Sequence, residues 1–213
     1  MKNKKPMLKE TVGALYLAFN TPSEEGEFDI KTYEETIKSE VVKNISTNDN
    51  TESTTIRASG KDYMTVSQNS SIENAVEVIA FDPTDIARMR NDKIGKYIVK
   101  SGASGPRPFF AFGKVVKKTG DNVEYVWYPK CQLTENTDDI GTSEESFSEQ
   151  NDTLTIKAFA IDKEGNKSIR VNSEMSNFPE GLTEEMFFTK PITTDEEIEA
   201  LITPVTNENE EGA

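Results

Sequence analysis

The runs Phe109-Phe-Ala-Phe-Gly-Lys-Val-Val116 and Val123-Glu-Tyr-Val-Trp-Tyr128 flank a polar, glycine-bearing link, Lys117-Lys-Thr-Gly-Asp-Asn122. Two aromatic and β-branched segments around such a link predict a β-hairpin. Side chains alternate along a strand, so Tyr125 and Trp127 share one face while Val126 and Tyr128 share the other. A core position is expected for Trp127, and Cys131 just beyond it reads as a small buried hydrophobe.

Outward from this hairpin the chain reads mostly as strands. Residues 12–19 are apolar on both faces, as in a strand held between layers. The basic start Met1-Lys-Asn-Lys-Lys imitates a signal peptide, but Glu10 precedes the apolar run and no Ala-x-Ala site follows it, so a first strand is expected. Short strands are expected over 39–45, 51–57 and 63–67, with Ser46-Thr-Asn-Asp-Asn50 as a turn. Residues 73–81 alternate, with Val76, Val78 and Ala80 on one face and Ala75, Ile79 and Phe81 on the other beside Glu77. Asp82 then caps a short helix over 83–92, with Pro83 at its first position and Ile86 and Met89 as its apolar stripe.

The runs 154–161 and 168–171 predict a second hairpin. The acidic stretch Glu135 to Asn151 offers few core candidates beyond Ile140 and Phe147. Thr194-Asp-Glu-Glu197 opens a small helix with a capping box. Phe187-Phe188 is an apolar pair in polar surroundings, which docks on its own subunit or on a neighbour. Residues 207–213 read as disordered.

Composition removes several function classes. The 213 residues carry 24 basic and 38 acidic side chains, a net charge of −14, and a chain so acidic repels nucleic-acid phosphates. It has no His, which excludes a Ser-His-Asp triad, a Cys-His dyad and an imidazole metal ligand. Cys131 stands alone, so the chain holds no intramolecular disulfide and no thiolate zinc site. No stretch reaches the roughly 18 apolar residues of a membrane span. Ser101-Gly-Ala-Ser-Gly105 lacks the Gly-Lys-Ser/Thr of a phosphate loop. The acids Asp138, Asp139, Glu144 and Glu145, and the 162–166 turn, lack the ligand spacing of a calcium loop. No catalyst, metal or cofactor is expected.

Two regions together resemble the major tail (tail tube) proteins of long-tailed phages of Gram-positive bacteria. The first runs from Asn48-Asp-Asn-Thr-Glu52 to Glu73-Asn-Ala-Val-Glu-Val-Ile-Ala-Phe-Asp-Pro-Thr-Asp-Ile-Ala87. The second comprises Phe109-Phe-Ala-Phe-Gly-Lys114, Glu124-Tyr-Val-Trp-Tyr-Pro-Lys-Cys-Gln-Leu133 and Glu144-Glu-Ser-Phe-Ser-Glu-Gln-Asn-Asp-Thr-Leu-Thr-Ile-Lys-Ala158. The resemblance covers roughly residues 10–175 and rests on the succession of segments.

The resemblance implies a mainly β subunit, sandwich- or barrel-like, with a short flanking helix, an extended loop and a C-terminal arm. Residues 1–175 would form the β domain and 176–213 a partly disordered extension. Such subunits assemble into hexameric rings that stack into a tube, a non-enzymatic role in the virion after synthesis in the bacterial cytoplasm. Partners would be further copies of the chain and other tail proteins such as the tape measure and tail terminator; DNA would pass without specific binding, and no membrane is involved. The polar loop from Asn44 to Lys61, with Thr47, Asn48, Asp49, Asn50, Thr51 and Glu52, resembles the inter-ring connection. Glu73, Glu77 and Glu124 are candidates for an acidic lumen, which would keep DNA sliding by repulsion. The rival expectations are a head–tail connector or capsid decoration protein, or a carbohydrate-binding β-sandwich using Trp127 or the Phe109–Phe112 cluster.

Overall fold

The computed structural model describes residues 5–23, 25–102, 104–138, 140–142 and 150–203, without the side chains of 51–54 and 66–70. Phe147, the acids Asp139, Glu144 and Glu145, and the expected disorder of 207–213 lie outside the described residues. Among those described, no helix is long and apolar enough to cross a membrane.

The chain is mainly β and antiparallel, with a few short helices. Its elements are β1 (Lys9–Phe19), β2 (Ile37–Ser39), β3 (Val42–Ala58), β4 (Lys61–Val78), α1 (Pro83–Met89), β5 (Lys93–Ile94), β6 (Val99–Lys100), β7 (Phe110–Lys118), β8 (Asn122–Asp138), β9 (Asp152–Ala158), β10 (Ile169–Asn172), α2 (Glu184–Phe187) and α3 (Asp195–Ile202). One eight-stranded sheet runs in the order β2-β1-β7-β8-β9-β4-β3, with β10 added to β8. The small β5–β6 pair stands apart from it.

The sheet curls. Leu15, Leu17 and Phe19 of β1 meet Phe110 and Phe112 of β7, Val126, Tyr128, Cys131 and Leu133 of β8, and Leu154 and Ile156 of β9 in one core. Val42 and Ile45, from β3 at the far end of the strand order, pack against the same core, and Met89 of α1 joins it. Contact between strands so distant in the order requires a barrel-like curl. The core set passes from Tyr128 to Cys131 because β8 bulges at Pro129–Lys130, where Phe112 opposes Tyr128 but Phe110 opposes Cys131.

The outer face of β1, β7 and β8 carries a second core. Tyr16, Ala18, Ala111, Val115, Tyr125 and Trp127 are covered by Leu182, Phe187, Phe188, Ile192 and Ile198 from the C-terminal segment. Residues 14–19 of β1 are therefore buried on both faces, as their apolar run predicts. The segment after 175 forms the outer layer over these strands, and its α3 begins with the expected capping box, Thr194 to Glu197.

Three expectations change. First, 44–61 is not a loop. β3 and β4 form one continuous ladder from Val42↔Val78 to Ala58↔Lys61, closed by Ser59-Gly60, both in the left-handed region at φ 54° and 77°. That is the backbone of a two-residue hairpin turn, which glycine adopts without strain. The polar run Ser46–Asn50 stays extended because each residue has a ladder partner on β4, and Thr47 donates to Asn74 Oδ1 at 2.7 Å.

Second, β9 and β10 do not pair with each other. β9 lies between β8 and β4, so both its edges are taken, and β10 continues along the same edge of β8 at Glu124–Trp127. Third, the helix after Asp82 stops at Met89, because Asn91 turns left-handed at φ 61° and the amide of Asp92 returns to Ala87 O. Its start is as expected: the Asp82 carboxylate accepts from the amides of Thr84 and Asp85, which holds its pKa below the ordinary value. Ile140, expected as a core candidate, is 81% exposed.

Candidate functional site

The feature with the least internal partnership is the distal half of the β3–β4 hairpin. β9 pairs with β4 only from Val78 back to Ile72. Beyond that point, among the described residues, the two strands pair only with each other, through Asn50↔Ser71, Thr51↔Asn69 and Glu52↔Gln68 to the turn. At about 3.3 Å per residue this overhang spans about 30 Å. Its far end is held by local contacts: Arg57 Nε lies 2.7 Å from Asp62 Oδ1, and the Thr55 and Thr65 hydroxyls are 3.3 Å apart. Ile56, Met64 and Tyr63 are 46, 49 and 75% exposed there.

The eight residues expected to make contacts between rings therefore divide. Asn44, Thr47, Asn48 and Asp49 belong to the rooted part, opposite Glu77, Asn74, Glu73 and Ile72. Asn50, Thr51 and Glu52 begin the overhang, and Lys61 closes its turn opposite Ala58. The exposed apolar residues near the tip lacked a sequence signal, because Ile56 and Met64 read as ordinary strand interior. Among the described residues β3 pairs on one side only, so its outer backbone edge is open.

The three acidic candidates do not share a face. Glu73 and Glu77 alternate with the core residues Ile72, Val76 and Val78, so they occupy the opposite face of β4. Glu73 lies 3.8 Å from Lys157 Nζ, and Glu77 accepts from Asn151 at 2.9 Å. Glu124 alternates with Tyr125 and Trp127 of the outer layer and lies 3.1 Å from the ammonium of Lys118. Lys118, 7% exposed, also meets Glu174 at 2.8 Å. Burial alone would lower the Lys118 pKa, but Glu174 and Glu124 raise it on balance.

The aromatic candidates are packing groups. Trp127 is fully buried and its indole N–H donates to Phe187 O at 3.1 Å. Phe188 stacks on Tyr16 and leans on Trp127. The Phe187-Phe188 pair thus docks on its own subunit. Phe110 and Phe112 are buried, while Phe109 packs edge-on against Phe28 and Phe159. Cys131 is wholly buried, and burial pushes its thiol pKa up. Neither Trp127 nor the Phe110–Phe112 pair offers a ring face to a sugar. Among the described residues no three His, Cys, Asp or Glu are grouped to hold a metal ion.

No protein-family model matches the chain, and no curated protein matches it. Among solved structures, a chain of the 6-fold symmetrised cryo-EM structure of the anti-feeding prophage (AFP) baseplate aligns over 80% of this chain and 97% of its own length, with 8% identity and a TM-score of 0.39.

Proposed function

We propose that this chain is a structural, non-enzymatic subunit of a phage-tail-like virion, which assembles with copies of itself into stacked hexameric rings forming a tail tube. The observation that carries the reading is the overhanging β3–β4 hairpin, whose two outer edges are unpaired among the described residues, with an exposed Ile56, Tyr63 and Met64. A long bare edge is a liability in a solitary protein and a joint in an assembly. The sequence resemblance over roughly residues 10–175 supports the same reading. Tape measure and tail terminator proteins would be further partners, and DNA would pass along the bore without specific binding. Glu73 and Glu77 are the acidic candidates that lie together on β4; Glu124 is engaged by Lys118.

The test is negative-stain electron microscopy and sedimentation of the purified chain. The variant joins Asn50 to Ser71 by a two-residue turn, which leaves the pairing of β4 with β9 intact. Wild type forming tubes and the variant remaining a folded monomer supports the proposal. Tubes formed equally by both would remove the hairpin from assembly, and a wild-type chain that stays monomeric at every concentration would overturn the proposal.

A further inference from the structure

Among the described residues the curled sheet does not close, since β2 and β3 end the strand order unpaired with each other, and its open seam has an unusual polarity. A cleft of about 420 Å³ lies there, lined by Lys9, Thr11 and Val12 of β1, Lys43, Ile45 and Thr47 of β3, and Lys114 of β7. Glu10 is the one carboxylate among its lining residues. In a chain of charge −14, three lysines around one cleft run against the overall balance.

Its chemistry is rich in donors. Lys114 Nζ donates to Thr47 Oγ1 and lies 5.5 Å from the Tyr128 ring centroid. Among the described residues no carboxylate forms an ion pair with Lys114. Glu124, the acid that acts on it, is held by Lys118 at 3.1 Å, while Lys9 and Arg170 add positive charge. Behind Thr47, Asn74 is fully buried; its Oδ1 accepts from Thr47 and its Nδ2 has no partner. Asn74 lies outside the cleft lining, so the group left unmet in the cleft is the Lys114 ammonium, which is costly to leave without a counter-charge. Burial, with Lys9 and Arg170 adding to it, lowers the Lys114 pKa to about 8.

We propose that this seam is a binding site for a carboxylate group, which takes its place against the Lys114 ammonium with Lys9 at the mouth. A carboxylate supplies the missing negative charge and several acceptor lone pairs at once. A singly charged group also meets less repulsion from the acidic surface than a multiply charged phosphate does. The proposal goes beyond the tail-tube reading and does not depend on it. The carboxylate comes either from a free small acid or from an acidic side chain of a second copy.

The experiment titrates glutarate into the full chain at constant ionic strength, following the lysine Cε resonances, and measures self-association by sedimentation velocity in parallel. The variants are Lys114→Gln and Lys9→Gln. A saturable shift of the Lys114 signal, weakened at least tenfold in K114Q and about threefold in K9Q, establishes the free-acid source. No glutarate binding, but self-association weakened by the same factors, establishes the second-copy source. If K114Q does not fold, K9Q carries the test, since Lys9 is exposed. Glutarate binding and self-association both unaffected by the variants would overturn the proposal.

Discussion

The ring of Phe188 lies flat on the ring of Tyr16, with centroids 3.9 Å apart and planes inclined by 2°, although the two residues come from opposite ends of the chain. The stack is completed by Glu184, whose carboxylate accepts the Tyr16 hydroxyl at 2.6 Å. It sits directly over Gly113. A Cβ at that position would lie 2.7 Å from Phe188 Cε1 and 3.0 Å from Trp127 Cε3.

Gly113→Ala is therefore expected to destabilise the fold by about 2 kcal/mol, the usual cost of overpacking. Phe188→Ala alone should cost about 3–5 kcal/mol. The double variant should cost little more than Phe188→Ala by itself, because the alanine methyl then keeps only its contact with Trp127 Cε3 at 3.0 Å. Urea unfolding of the three variants measures the coupling, and simple additivity would place the overlap elsewhere.

Trp127 is the chain's one tryptophan and reports on the outer layer directly. Its emission should be blue-shifted and nearly insensitive to acrylamide, and no glycan should quench it. Phe188→Ala should shift the emission to longer wavelength and raise the quenching constant. Ready quenching of the wild-type indole would contradict the C-terminal cover.

Stability should respond to alkali through two opposed groups of residues. Burial raises the pKa of Cys131, Tyr16 and Tyr33, and that of Tyr128 to about 12. The unfolded chain releases these protons from about pH 8.5 for the thiol and about pH 10 for the phenols, so their contribution is full below those values and lost as pH rises. Lys114 works the other way. Its folded value of about 8 lies below the ordinary 10.5, so the unfolded chain binds more protons between them and stability rises with pH. The charges acting on Lys114 are Lys9 of β1, Glu124 of β8 and Arg170 of β10.

The wild type should hence hold a nearly level stability from about pH 8.5 to 10 and lose it steeply above. Lys114→Met should remove the rising component and begin its decline near pH 8.5, at about 1.4 kcal/mol per pH unit for each group still titrating. Urea midpoints from pH 7 to 10.5 decide this. Identical profiles for the two chains would show that Lys114 is not desolvated.

At the hairpin tip, replacing Ile56, Tyr63 and Met64 together by Thr should change unfolding stability by no more than about 0.5 kcal/mol per site, since all three are exposed. Assembly should weaken by about 2 kcal/mol or more if these residues anchor it. The concentration at which light scattering rises measures the loss. A stability loss in the monomer would instead place the tip against the body of the fold.

Much of the β architecture was readable because it depends on local alternation. The 109–128 hairpin, the two-sided β1, the Asp82 cap and the burial of Trp127 and Cys131 all follow from periodicity or from one capping group. The β3–β4 ladder was missed because Ser46–Asn50 has turn composition, and its pairing with residues 71–75 is not a local property. The short Ser59-Gly60 dipeptide held the true turn. The order of β9 and β10 along β8 depends on β4 occupying the other edge of β9, which no property of 154–171 encodes. The seam was equally hidden, since Lys114, Thr47 and Asn74 meet only after the sheet has curled.

The outer layer is synthesised after the strands that it covers. Tyr16 leaves the ribosome well before its partner Phe188, by roughly 10–30 s at about 5–20 residues per second. During that interval the nascent β1, β7 and β8 present a wet tyrosine–tryptophan face. Any chain that stops before α2 keeps it bare and is prone to aggregate, whereas one that includes α2 and α3 covers it. Loss of the sticky surface is thereby tied to the synthesis of α2 and α3.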